Sequence, residues 1–322
     1  MVDFSQRAAE AATSEINRVL CPLLDDAITQ VAKAEYDATR GSGIGEVAAK
    51  RIGAGYIGTE CLRDLGFKYH KFAIEPREGG TSPGELRRHA DAGHWAEAKT
   101  AEWFKLVGLF VVTVLQDEHM EPVYDQWGKP KQIGWKDAPD PVTGQFRMAG
   151  EVDGVIVAVD NPMLKELIVT PAIWESKKAT DKKWKKFVKD KVKGADKRYY
   201  GQLQTNMGYL GVRQTLFSML NLDTMKYYFE VVPFDQQYAQ GLVDRAVIVF
   251  KSDHPYQLPQ LGRTEDDFVC KFCDYKQQCW TGKKIETFPH TKVVAVVGGP
   301  HAGIHTETVE PFNPNEMEDP PF

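Results

Sequence analysis

Gly150-Glu151-Val152-Asp153-Gly154-Val155-Ile156-Val157 and, further on, Ala172-Ile173-Trp174-Glu175-Ser176-Lys177 are the stretches whose reading decides the fold. Each is an apolar strand interrupted or ended by acid. Strand side chains alternate with a period of two, so Glu175 and Lys177 share one face. Carboxylates converging from neighbouring strands, Asp153 from one and Glu175 from the other, can hold a hard divalent cation through oxygen. An ammonium beside them, that of Lys177, can orient an attacking water and offset charge developing on a phosphate. A solvated strand edge presents the same residues, so the pair of strands counts for more than Glu-x-Lys alone.

Outward from these strands, the chain alternates helical and strand patterns. Ser82-Pro83-Gly84-Glu85 reads as a capping box with proline at the first helical position. Leu86, Ala90, Trp95, Ala98 and Phe104 carry that helix to about Val107, where Gly108 stops it. Leu109 to Gln116 reads as a buried strand. Asp117 to Gly144 is polar, rich in Pro and Gly, and reads as a hairpin or irregular excursion. Strands come next at about Phe146–Val159 and Leu167–Ser176, then a helix at about Tyr199–Leu216, a strand at Tyr227–Pro233, and a strand or helix near Leu242–Phe250. No internal repeat is evident. The order predicts an α/β fold with a mixed central sheet flanked by helices.

Three domains are expected: an N-terminal helical segment (1–40), a main domain (41–290) and an acidic tail (291–322). In the first, Ile16, Val19, Leu20, Leu23, Leu24, Ile28 and Val31 recur at helical spacing from about Thr13 to Arg40, with Pro22 expected to break or kink the helix.

With Tyr200-Gly201-Gln202-Leu203-Gln204 opening a helix downstream and Gly93-His94-Trp95-Ala96-Glu97 within one upstream, the chain resembles the PD-(D/E)XK nucleases over roughly Tyr56 to Trp280. The resemblance is to the RecB-like branch with its phage exonucleases. It implies a restriction-endonuclease-like core and hydrolysis of DNA phosphodiesters with Mg²⁺ or Mn²⁺. It also implies metal ligands at His94, Asp153, Glu175 and the Ser176 carbonyl, with Lys177 positioning the nucleophile and Gln202 orienting water or the lysine. Asn206 stands where that family commonly has tyrosine. Gln204 is the alternative to Gln202; about 200° apart on a helix, the two cannot face one metal.

Five cysteines in a chain without a signal-peptide pattern do not suggest a disulfide framework. Cys270-x-x-Cys273-x5-Cys279 supplies three thiols and asks for a metal, one ligand short of four. Cys61 and Cys21 are the remaining candidates. Iron–sulfur members of the nuclease family carry a similar Cys-x-Arg before the catalytic region, and the resemblance implies a [4Fe–4S] cluster on Cys61, Cys270, Cys273 and Cys279, a staple closing a long loop. Zinc, or unligated buried thiols, are the alternatives.

The 322 residues are 42% hydrophobic and 26% charged, the ordinary globular range, with a net charge of −5. No apolar run approaches the roughly 20 residues that span a bilayer. A soluble protein of a bacterial or phage-infected cytoplasm is therefore expected. Net charge argues against a polyanion partner, but its distribution does not. Half the positions from Lys177 to Arg198 are Lys or Arg. Lys182, Lys183, Lys185 and Lys186 surround Trp184, Phe187, Val188 and Val192, giving an amphipathic helix. Its basic face is either solvated or a non-specific DNA contact. After His301 the chain has five acids and no Lys or Arg, and it closes in Asp319-Pro320-Pro321-Phe322. That ending is similar to the acidic tips of bacterial single-stranded-DNA-binding proteins and implies a genome-maintenance partner; a solvating tail is the plainer alternative. The functional expectation is a DNA exonuclease in recombination, replication or repair. Its rival is a DNA-binding accessory protein with a vestigial nuclease site.

Overall fold

A computed structural model describes residues 50–72, 74, 83–140 and 144–281, together with 18, 20, 22–31 and 34. Most of the expected N-terminal helix, the Ser82 cap, Cys21 and the whole acidic tail with Phe322 lie outside the described residues. Two compact units are distinguished, one of Met1–Val47 with Pro76–Ala98 and the other of Ala48–Glu75 with Lys99–Phe322. In the first, residues 22–31 are helical, and Arg88 pairs with Asp25 at 2.7 Å.

The second unit is mixed α/β, as expected, with helices on both faces of its larger sheet. Its elements begin with β1 (Ile52–Gly53), α1 (Ala54–Ile57) and α2 (Leu62–Tyr69). The long α3 (Pro83–Leu106) starts in the first unit and ends in the second. Then come β2 (Leu109–Val112), β3 (Gly134–Lys136), β4 (Met148–Glu151), β5 (Gly154–Val159), α4 (Pro162–Lys165) and β6 (Ala172–Ala179). The chain continues through α5 (Asp181–Ala195), α6 (Lys197–Leu210), β7 (Gln214–Asn221), β8 (Tyr227–Pro233), α7 (Gln236–Phe250), α8 (Phe268–Lys271) and α9 (Lys276–Thr281).

The larger sheet runs β2-β5-β6-β7-β8, and the smaller one β1-β4-β3. Only β6 and β7 are parallel in the larger sheet; the other pairs are antiparallel. Parallel neighbours need a crossover, and α5 and α6 supply it. They cover one face, where Ile173 and Phe217 pack with Phe187, Leu203 and Met207. On the other face Trp174 and Ile156 pack with Phe104 from the end of α3. Among the described residues no helix is long and apolar enough to cross a membrane.

Several elements differ from the sequence reading: the strand expected from Leu109 to Gln116 ends at Val112 with only Leu109 buried, and the one expected from Leu167 to Ser176 runs from Ala172 to Ala179. The segment Phe146–Val159 is two strands in two sheets, broken at Val152–Asp153. The helix expected to reach Leu216 ends at Leu210, because Gly211 adopts φ 67 and caps it, its N–H returning to the Met207 carbonyl. Beyond that cap, Gln214–Asn221 is a strand buried at all but its first residue. A repeat is also present in the excursion after β2. Asp117 accepts the N–H groups of His119 and Glu121, and Asp125 those of Trp127 and Lys129, each turn containing one positive-φ residue, Met120 or Gly128.

Candidate active site

The β5 and β6 strands pair antiparallel with Gly154 opposite Trp174. Asp153, just before β5, therefore stands beside Glu175 and Ser176. Its Oδ2 accepts the Ser176 N–H at 2.6 Å. The period of two places Ile173, Glu175 and Lys177 on the face covered by the crossover helices. Asp196 caps α6 by accepting the Arg198 and Tyr199 N–H groups, at 3.0 and 3.2 Å. The first turns of that helix then lie over Glu175, and Gln202 Nε2 donates to Glu175 Oε1 at 2.8 Å. Lys177 Nζ donates to the same oxygen.

Glu175 is only 1% exposed, and its Oε2 is buried without a hydrogen-bond partner among the described residues. Burial raises its carboxyl pKa, Lys177 and Gln202 lower it and Asp153 raises it, the balance bringing it up to about 7. Burial also disfavours the charged Lys177, but Glu175 and Asp153 outweigh that cost and hold its pKa above the usual lysine value. The result is a buried carboxylate, Glu175, beside a half-buried one, Asp153, with one cation next to them and one Glu175 oxygen left unsatisfied among the described residues.

Tyr199, which sequence reasoning did not single out, stands under two lysines. Lys177 Nζ is 5.5 Å and Lys183 Nζ 4.5 Å from its ring centroid. Its place three residues before Gln202, one helical turn, is the signal that could have found it. Gln204 is buried elsewhere, donating to the Pro233 carbonyl at 3.0 Å and accepting the Asp235 N–H at 2.7 Å. Asn206 is also buried, accepting from Trp135 Nε1 at 2.9 Å and donating to the Glu151 carbonyl at 3.2 Å. His94 is an exposed residue of the part of α3 that belongs to the first unit. Among the described residues no three His, Cys, Asp or Glu side chains are grouped to hold one metal ion.

Several lysines of the basic helix α5 already have partners in the fold, although most of them stay exposed. Lys183 donates to Tyr199 Oη at 3.1 Å, Lys185 pairs with Asp181 at 2.5 Å, and Lys186 donates to the Ala195 carbonyl at 2.6 Å. Lys182 points to solvent. Lys191, at φ 60, interrupts the helix, and the following Val192 N–H is taken up by Glu230 at 3.0 Å.

Cys61, Cys270, Cys273 and Cys279 line a single cavity with Asp64, Gln260 and Trp280. Cys61 sits at the N-cap of α2, and the N–H groups of Asp64, Leu261 and Arg63 lower its pKa less than burial raises it. Burial pushes Cys273 up to about 12, and it also raises Cys279, with Arg63 acting in the opposite sense.

No family model matches the chain, and neither does any curated protein. Among solved structures, the crystal structure of SSO0001 aligns at 12% identity and a TM-score of 0.40, over 81% of this chain and 96% of that one. An alkaline exonuclease from Laribacter hongkongensis aligns at 15% identity and a TM-score of 0.34, over 63% of this chain and 87% of that one. Its complex with dAMP gives 15% identity, a TM-score of 0.36 and the same coverage.

Proposed function

We propose that this chain is a metal-dependent DNA nuclease of the PD-(D/E)XK type, acting as an exonuclease, with residues 41–290 forming its catalytic domain. The observation that carries the reading is Glu175. A fully buried carboxylate with one oxygen engaged by Lys177 and Gln202, the other unsatisfied, and a second carboxylate alongside is costly unless a cation completes it. The donor set is all oxygen, which suits Mg²⁺ or Mn²⁺. Asp153, Glu175 and the Ser176 carbonyl would hold the ion. When bound, it would polarise the scissile phosphate and favour a hydroxide-like nucleophile.

The chain's own residues set up the rest. Ser176 N–H orients Asp153, and Gln202 fixes the rotamer of Glu175. Lys177, kept charged by the two carboxylates, is placed to hold the attacking water and to offset charge on the phosphate. Lys182 and its neighbours on α5 would guide the DNA backbone through phosphate contacts without reading bases.

The four thiols fit an iron–sulfur cluster because they line one cavity although they come from distant parts of the chain. Cys61, Cys270, Cys273 and Cys279 would hold it, and it would tie α2 to α8 and α9. The test of the reading is digestion of end-labelled single- and double-stranded DNA. Mg²⁺ or Mn²⁺ should support release of label and EDTA should stop it; no release with either ion overturns the assignment.

A further inference from the structure

The guanidinium of Arg63 is wholly buried, and among the described residues it has no carboxylate partner. Its Nε donates to the Leu258 carbonyl at 2.8 Å and its Nη1 to Gln260 Oε1 at 2.7 Å. Both acceptors are neutral. The Nη1 atom also lies 3.9 Å from Cys279 Sγ, while Nη2 is buried with no hydrogen-bond partner among the described residues. Arginine cannot shed its proton in a protein, so a full positive charge is held out of water with no anion beside it among the described residues. An unanswered buried charge is among the most costly arrangements a fold can keep.

The adjoining cavity holds the missing negative charge in latent form. Its four cysteines are neutral as thiols and anionic as thiolates. Metal binding deprotonates such ligands, and four thiolates around an iron–sulfide core leave the assembly anionic. A second donor points to the same need. Trp280 lines the cavity, and its buried indole Nε1 has no acceptor among the described residues. Two strong donors without acceptors, one of them cationic, therefore flank one set of four thiols. One acid, Asp64, and one base, Lys276, line the cavity too, and Lys276 pairs with Asp266 at 3.8 Å.

We infer that Arg63 is a positioning residue for the group held by the four cysteines: its charge balances the thiolate-bound cluster, and with Trp280 it donates hydrogen bonds to the cluster's sulfur. The inference rests on the cluster reading above and adds to it a buried cation beside the cluster. Charge near a cluster and hydrogen bonds to its sulfurs set its reduction potential. Removing a positive charge disfavours the more negative, reduced form, so the potential moves to more negative values.

The test compares full-length wild type, Arg63→Lys and Arg63→Met, all purified anaerobically, by iron and sulfide content and by redox titration of the visible absorption. Wild type should contain iron. Arg63→Lys should keep its iron with a potential near that of wild type, while Arg63→Met should titrate at a more negative potential or lose iron. Arg63→Met with wild-type iron and potential overturns the inference. So do Lys and Met variants altered to the same extent, because side-chain shape rather than charge would then be what matters. Absence of iron and sulfide from wild type is a different failure, which removes the cluster reading itself and this inference with it.

Discussion

Gly58 and Gly201 meet backbone to backbone: a Cβ built on Gly201 would lie 2.6 Å from Gly58 Cα and 2.9 Å from its nitrogen. This contact joins the two candidate sites. Gly58 precedes the turn that ends at Cys61, and Gly201 immediately precedes Gln202. On the other side of that turn, Arg245 of α7 donates to the Thr59 and Glu60 carbonyls at 2.6 and 2.7 Å.

Gly201→Ala should therefore cost about 1–3 kcal/mol, the usual range for overpacking, and should lower the cleavage rate by displacing Gln202. Gly55→Ala is the control, since a Cβ there meets nothing within 4 Å. Denaturant midpoints and cleavage rates of the two variants check both halves of the expectation.

The two glutamines of α6 should separate cleanly. Gln202→Leu removes one hydrogen bond to Glu175 and should slow cleavage about 10- to 100-fold, as loss of a ligand-orienting partner does, with little change in the melting temperature. Gln204→Leu leaves the Pro233 carbonyl and the Asp235 N–H without their partner and should cost about 1–3 kcal/mol of stability. Thermal unfolding and initial rates, measured on both variants, decide it.

These two residues also show what was legible. The helical period alone set Gln202 and Gln204 on different faces, and the strand period set Glu175 with Lys177, because both patterns are local. The strand Gln214–Asn221 was hidden for a physical reason. A strand covered on both faces has no polar alternation, and its apolar run extends the preceding helical pattern. Gly211 carried the stop signal. The paired turns at Asp117 and Asp125 were missed because the same backbone shape is made with Met120 in one and Gly128 in the other. Local spacing could not bring Cys61 to the late cysteines; only the family resemblance suggested it. Nor does a count of lysines reveal which are already occupied, as Lys185 is by Asp181.

Metal affinity should depend on pH through Glu175. With its metal-free pKa at about 7, the carboxyl is largely protonated below that value, and a cation must displace the proton to bind. Apparent Mn²⁺ affinity should fall by up to about tenfold per unit as the pH drops below 7, and level off above it. Titration of free Mn²⁺ by electron paramagnetic resonance at pH 5.5, 6.5 and 8 would reveal this. An affinity unchanged across that span would contradict the buried-carboxylate account.

DNA affinity should depend on salt less than the number of basic residues in α5 suggests. Changing Lys182 to Gln should remove one phosphate contact and lower the slope of log affinity against log salt by roughly 0.9 on duplex DNA. Lys186→Gln should lower stability instead, because that lysine bonds the Ala195 carbonyl near the end of α5. An unchanged slope for Lys182→Gln would return the exposed lysine face to simple solvation.

The most direct test of the central claim is the rate at which Glu175→Gln cleaves end-labelled DNA relative to wild type, at saturating Mn²⁺. Glutamine keeps the shape and removes the charge that would hold the cation. Glu175→Gln should cut about a hundredfold or more slowly with the fold intact, in the range seen when a key electrostatic group is removed from an active site. A Glu175→Gln enzyme that cuts at the wild-type rate would contradict the claim.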